Sequence, residues 1–167
     1  SLANNSTLLA VLLETIITVN PASFNSDTLV ILPYGLNKSK IIEKTRELIV
    51  DIEPMKIIKY NCEFYGSTYE GRHDGTKSIM NITHKSPIII EESRVIICFP
   101  TTSPRQNECA WIVLKSIKDF TGDSNSTNII FDNNTVVNIT MSVSSFENQI
   151  SRSYRLESIL RKRLEKF

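Results

Sequence analysis

Cys62-Glu63-Phe64-Tyr65-Gly66-Ser67-Thr68-Tyr69-Glu70-Gly71-Arg72-His73-Asp74-Gly75-Thr76-Lys77, followed after a short apolar run by Thr83-His84-Lys85-Ser86-Pro87, is the stretch whose reading decides this chain. Three of the five glycines in the protein fall inside it, Gly66, Gly71 and Gly75, among aromatic residues and a cluster of Arg72, His73, Lys77, His84 and Lys85. Glycine serves where a backbone takes positive φ or where something approaches it closely. Two readings follow. In one, the glycines close the turns of a two-turn hairpin and do nothing else. In the other, they make a flexible basic loop that a ligand can approach.

The rest of the composition bounds the answer without choosing. At 167 residues and 19.0 kDa the chain has the length of one domain. Hydrophobic residues are 41% and charged residues 22%, the balance of an ordinary globular protein. A net charge of +1 does not announce a polyanionic partner, so the distribution of charge matters more than its sum. Between residues 121 and 149 there is no basic residue, whereas residues 150–167 hold Arg152, Arg155, Arg161, Lys162, Arg163 and Lys166 against Glu157 and Glu165. A basic helix end is equally the ordinary complement of a helix dipole. Three cysteines, an odd number, argue against a disulfide framework and for a reducing compartment. Cys62, Cys98 and Cys109 with His84 match no usual zinc spacing, so buried free thiols are the better reading.

In chain order, Leu8–Val19 is apolar but too short to span a membrane, and it lacks the basic leader of a signal peptide. Asn5 or Ser6 would cap a short helix there, ended by Pro21. Short Ile- and Val-rich runs follow. Thr28–Leu32, Ser39–Glu43, Glu47–Asp51, Lys56–Tyr65, Thr76–Thr83, Ile88–Ile90, Val95–Phe99 and Cys109–Leu114 read as strands punctuated by Pro33, Pro54, Pro87, Pro100 and Pro104. Lys115–Phe120 reads as strand or helical turn, and Asn128–Phe131 with Val136–Thr140 as a hairpin about Asp132-Asn133-Asn134. Trp111 is expected to anchor the core. Ser144-Ser145-Phe146-Glu147 has the form of a capping box and opens a helix from Ser145 to about Phe167. The fold class is therefore α+β: an antiparallel or mixed β-sheet with a long C-terminal amphipathic helix and a short N-terminal one. Residues 1–27 form an N-terminal segment, and residues 28–167 are expected to be a single domain.

Few catalytic arrangements can be built from these residues. His73 and His84 are the only histidines, and no nucleophile motif, phosphate-binding loop or dinucleotide fingerprint is present. Glu63, Glu70 and Asp74 could cluster as the relic of a metal-dependent nuclease, but such acids are usually just solvated. No enzyme activity, cofactor or metal is expected. DNA binding fares better: a basic loop of Arg72, His73 and Lys77, a second corner of His84 and Lys85, and a helix carrying Arg152 and Arg155. Arginine among small residues suits the narrow minor groove of A·T-rich duplex.

The glycine block, with Phe99-Pro100-Thr101, Cys109-Ala110-Trp111-Ile112 and Ser145-Phe146-Glu147-Asn148-Gln149, resembles the ComK family of bacterial competence transcription factors from roughly Thr28 to Arg155. The resemblance implies a cytoplasmic, nucleoid-associated, self-associating activator of DNA-uptake genes. It would bind double-stranded A·T-rich DNA largely through the minor groove and act on the transcription machinery. The matching positions are Gly66, Gly71, Arg72, Gly75, His84, Lys85 and Phe146 to Gln149, and His73, Lys77, Arg152 and Arg155 complete the expected DNA-binding set. Where a relative has a basic residue after the arginine of the block, this chain has His73. A relative carries a longer C-terminal tail through which a protease adaptor captures it; the given sequence ends at Phe167, so capture by an adaptor is the partner the resemblance supports least. The alternative class is a non-catalytic protein-interaction module that keeps the fold without binding DNA.

Overall fold

A computed structural model describes residues 24–166. The helix expected over Leu8–Val19 lies outside the described residues. Among the described residues, nine strands form two antiparallel sheets. The larger takes β1 (Thr28–Pro33), β2 (Ser39–Glu43), β3 (Glu47–Val50), β4 (Ile88–Glu91), β5 (Ile96–Pro100) and β6 (Trp111–Val113) in the order β3-β2-β1-β6-β5-β4. The smaller is a meander of β7 (Ile117–Gly122), β8 (Thr127–Phe131) and β9 (Val136–Ile139), reached through a short 3-10 turn at Leu114–Ser116. Among the described residues there are also three helices: α1 (Pro54–Phe64), α2 (Tyr69–Met80) and α3 (Val143–Leu164). The α+β class and the long C-terminal helix stand as expected.

The central strands are apolar on both faces. Along β5 and β6, Ile97, Phe99 and Ile112 enter one core cluster, while Ile96, Cys98, Trp111 and Val113 enter the other. Period-two alternation thus sends successive side chains to two interiors, which is why these strands read as unbroken apolar runs. One face is covered by α1, whose Ile57, Ile58 and Cys62 pack with Trp111. The other is covered by α3 and the small sheet, with the Phe146 ring 5.7 Å from Phe99 and 5.0 Å from Phe120. Phe24 also lies in the core, its carbonyl accepting from the Tyr65 hydroxyl at 3.1 Å.

Two expected strands are helices. Lys56–Phe64 belongs to α1, with Tyr65 as its C-cap, and Thr76–Met80 belongs to α2. The buried positions Pro54, Ile57, Ile58, Asn61 and Cys62 follow the i, i+3, i+4, i+7, i+8 spacing of a helix face, and Pro54 sits at the first helical position, where its missing N–H costs nothing. The partial alternation from Met55 to Tyr65 is the weaker pattern. The glycine block is consequently neither hairpin nor loop. Gly66, at φ +89°, ends α1: its N–H donates to the Glu63 carbonyl and that of Ser67 to the Cys62 carbonyl, the paired bonds of a Schellman stop. Thr68 then caps α2 by accepting from Gly71 N–H at 2.9 Å, and Asn81, at φ 57°, closes it. Gly71 and Gly75 lie inside α2, and a Cβ at Gly75 would meet nothing within 4 Å.

The cap of α3 also differs. Ser142, two residues before the expected Ser144, accepts from Ser145 N–H at 3.2 Å. Met141 just before that cap and Phe146 four residues into the helix are buried in one cluster, a hydrophobic staple that sets the helix start. Glu147 lies past the third helical position and is exposed, so it closes no capping box.

Ser142→Ala should cost about 1 kcal/mol in urea unfolding, and Ser144→Ala much less. Gly66→Ala should destabilise by about 1–2 kcal/mol because alanine resists that φ, whereas Gly75→Ala should stabilise by about 0.5–1 kcal/mol. All three cysteines are free and buried. Burial pushes the Cys62 thiol up to about 11, so native Cys62 should be slow toward thiol reagents at neutral pH, with all three reacting after unfolding. Because the unfolded thiol ionises from about pH 8.5 and the native one does not, stability should fall as pH rises beyond that value.

Candidate nucleic-acid interface

Helix α2 turns about 100° per residue, so neighbours in the glycine block face different ways. Arg72 points inward. Its side chain is 11% exposed and its Nη1 pairs with Glu92 in the β4–β5 turn, with the Nε buried and unbonded. His73 points the other way, into a cleft of about 950 Å³ between α1, α2, the Thr83–Ser86 segment and the Ser103–Arg105 loop. The expected His84 and Lys85 line the same cleft, and Lys59 and Arg105, not singled out from the sequence, join them. Glu70 and Asp74 are the carboxylates on its wall, and the Tyr69 hydroxyl, pushed up to about 12 by burial, stays neutral there.

Lys77 and Arg155 are exposed on α2 and α3 but do not line the cleft. A smaller cleft of about 370 Å³ adjoins it, sharing Met55, Pro104 and Arg105. That cleft reaches the β1–β2 hairpin tip, where Leu36 is 82% exposed beside Lys38. Arg105 lies in a polar stretch that the sequence marks only as a loop, so its place at the junction had no local signal.

The basic corner is held almost wholly by side chains. The Thr83 carbonyl lies 3.3 Å from His73 Nε2. The His84 carbonyl accepts from Arg152 Nη2 at 2.6 Å, the Lys85 carbonyl from Gln149 Nε2 at 2.9 Å, and the Pro87 carbonyl from the Thr76 hydroxyl at 2.7 Å. Gln149 also donates to the Pro100 carbonyl at 2.8 Å, and its Oε1 accepts from Arg152 Nη1 at 2.7 Å. These bonds explain three of the quoted motifs at once. Phe146 fills the core and Gln149 reaches across α3 to both the Phe-Pro-Thr strand end and the His-Lys corner. Burial lowers the Arg152 guanidinium from its ordinary value, and its short charge-assisted bonds offset the lost hydration. Arg152 is thus half committed to structure, with the Lys85 ammonium exposed.

Among the described residues, no three His, Cys, Asp or Glu side chains come together as a metal site, and no helix is long and apolar enough to cross a membrane. No solved structure matches this chain. A competence transcription factor of Bacillus subtilis (strain 168) is 34% identical over 145 residues, which cover 84% of this chain and 76% of the relative. The family described as ComK protein matches residues 21–165, starting within the N-terminal segment and running through α3. The chain belongs to the ComK family.

Proposed function

We propose that this protein is a sequence-specific DNA-binding activator of competence genes, without catalytic activity, that takes A·T-rich duplex largely through the minor groove. One observation carries the reading: five side chains able to bear positive charge, Lys59, His73, His84, Lys85 and Arg105, converge on one cleft in a chain whose net charge is only +1. A local excess of that kind concentrates potential where a phosphate backbone could lie. The adjoining smaller cleft would extend the path to Lys38, and Lys77 and Arg155 would contribute from the exposed faces of α2 and α3. Gly71 and Gly75 leave part of α2 without side chains, and the open space at Gly75 suits a close approach of the DNA backbone. Self-association and contact with the transcription machinery belong to the same proposal; the latter agrees with the B. subtilis relative's description as a competence transcription factor.

Arg72 enters this reading on a condition. To read a groove it must leave Glu92, and its exchange of partners would be part of binding. Lys85 needs no rearrangement, being exposed already. Lys85→Ala should therefore weaken A·T-rich and G·C-rich duplexes alike and lower the salt slope by about one. Arg72→Ala should cost about 1–3 kcal/mol more on A·T-rich duplex than on G·C-rich duplex if the guanidinium reads the groove. Glu92→Ala should then leave the A·T preference intact. Salt titrations by fluorescence anisotropy decide the matter. An unchanged A·T to G·C ratio in Arg72→Ala would confine that residue to its pair with Glu92. No binding of either duplex by the unaltered chain would leave the protein-interaction module.

A further inference from the structure

We infer that Gln149 is a positioning residue for DNA binding, setting through its buried amide the backbone of the His84–Lys85 corner from which the Lys85 ammonium is presented. The inference rests on the DNA-binding reading and deepens it.

Lys85 has φ 49°, a left-handed conformation that a residue with a side chain holds only where its surroundings over-determine it. The surroundings are specific. Gln149 is 2% exposed, and its two amide hydrogens donate to carbonyls 64 and 49 residues away in the chain, those of Lys85 and Pro100. Its oxygen accepts from Arg152, which in turn donates to the His84 carbonyl. Both hydrogens and the oxygen are therefore used, and glutamine alone among side chains of this size offers two donors and an acceptor in one plane. A carboxylate would lose both donors, and an apolar isostere would leave two carbonyls without theirs. The Pro100 bond fixes the amide to the end of β5, so the corner is registered against the central sheet instead of moving with α3 alone. The charged atoms of Lys85 take no part in this network and remain free for a phosphate.

The test uses Gln149→Leu, Lys85→Ala and the double variant on the full chain. Three results are expected. Amide hydrogen exchange in the segment around residues 83–87 should accelerate in Gln149→Leu without DNA present. Binding to an A·T-rich duplex should weaken several-fold, with a salt slope smaller by about one. The loss should vanish in the Lys85→Ala background, since the two substitutions remove the same contact. A role confined to stability would lower the melting temperature but would not couple to Lys85 or change the salt slope. The inference is overturned by unchanged exchange at the corner, by losses that multiply in the double variant, or by normal binding in Lys85→Ala alone. If Gln149→Leu does not fold, Arg152→Met removes the His84 tie from a half-buried side chain and is read by the same exchange and coupling. Failure of the unaltered chain to bind any duplex would overturn the DNA reading and this role together, and it shows itself before any substitution is made.

Discussion

The large sheet is buried on both faces, and most of the remaining chain follows from that constraint. A strand such as β5 places Ile96 and Cys98 on one side and Ile97 and Phe99 on the other, all nearly inaccessible to solvent. A single layer of cover would leave half of this apolar surface in water, at roughly 25 cal/mol per Å². Helix α1 supplies one cover; α3 and the three-stranded meander supply the other. Trp111 and Phe99, each almost wholly buried, belong one to each interior, and truncating either to alanine is of the kind that costs about 3–5 kcal/mol. Fold and surface are coupled through these covers, because the helices that close the cores also carry the groups that tie down the basic corner.

That coupling is visible in the Thr83–Pro87 segment. The stretch has no regular partner strand, and side chains of α2 and α3 reach four of its five carbonyls. Buried polar groups left unbonded are costly, so such a network resists partial occupation. The segment is irregular in dihedral angles, yet its carbonyls are tied to side chains on other elements while the Lys85 side chain is exposed.

Charge follows the same logic. The formal balance of the chain is nearly neutral, but the tertiary structure separates Arg72, paired with Glu92, from His73, His84 and Lys85, which face a shared cleft. An ion pair on the far side of α2 fastens the helix to the β4–β5 turn, while the near side keeps its cations available. Two adjacent residues with similar chemistry are thereby given opposite employment by a helix rotation of about 100°.

Much of the architecture was determined by the sequence alone: the α+β class, the apolar runs of the large sheet, the Asn128–Thr140 hairpin and the amphipathic C-terminal helix all follow local periodicity and turn chemistry. The resemblance included Gln149 among its motifs, but not the carbonyls that its amide reaches. The segment from Pro54 to Met80 was decided otherwise. Its helical spacing of buried residues was present in the sequence, but a short apolar run with glycines supports strand and helix alike until something covers one face. The same holds for the start of α3, where three serines compete and burial of Met141 with Phe146 selects Ser142. The site was the least legible part. Lys59 and Arg105 meet His84 and Lys85 only after the chain has folded, and the bonds from Gln149 span 49 and 64 residues. Local pattern records which face of an element is apolar; it holds no information on which distant carbonyl a buried amide will reach, because that distance is set by packing.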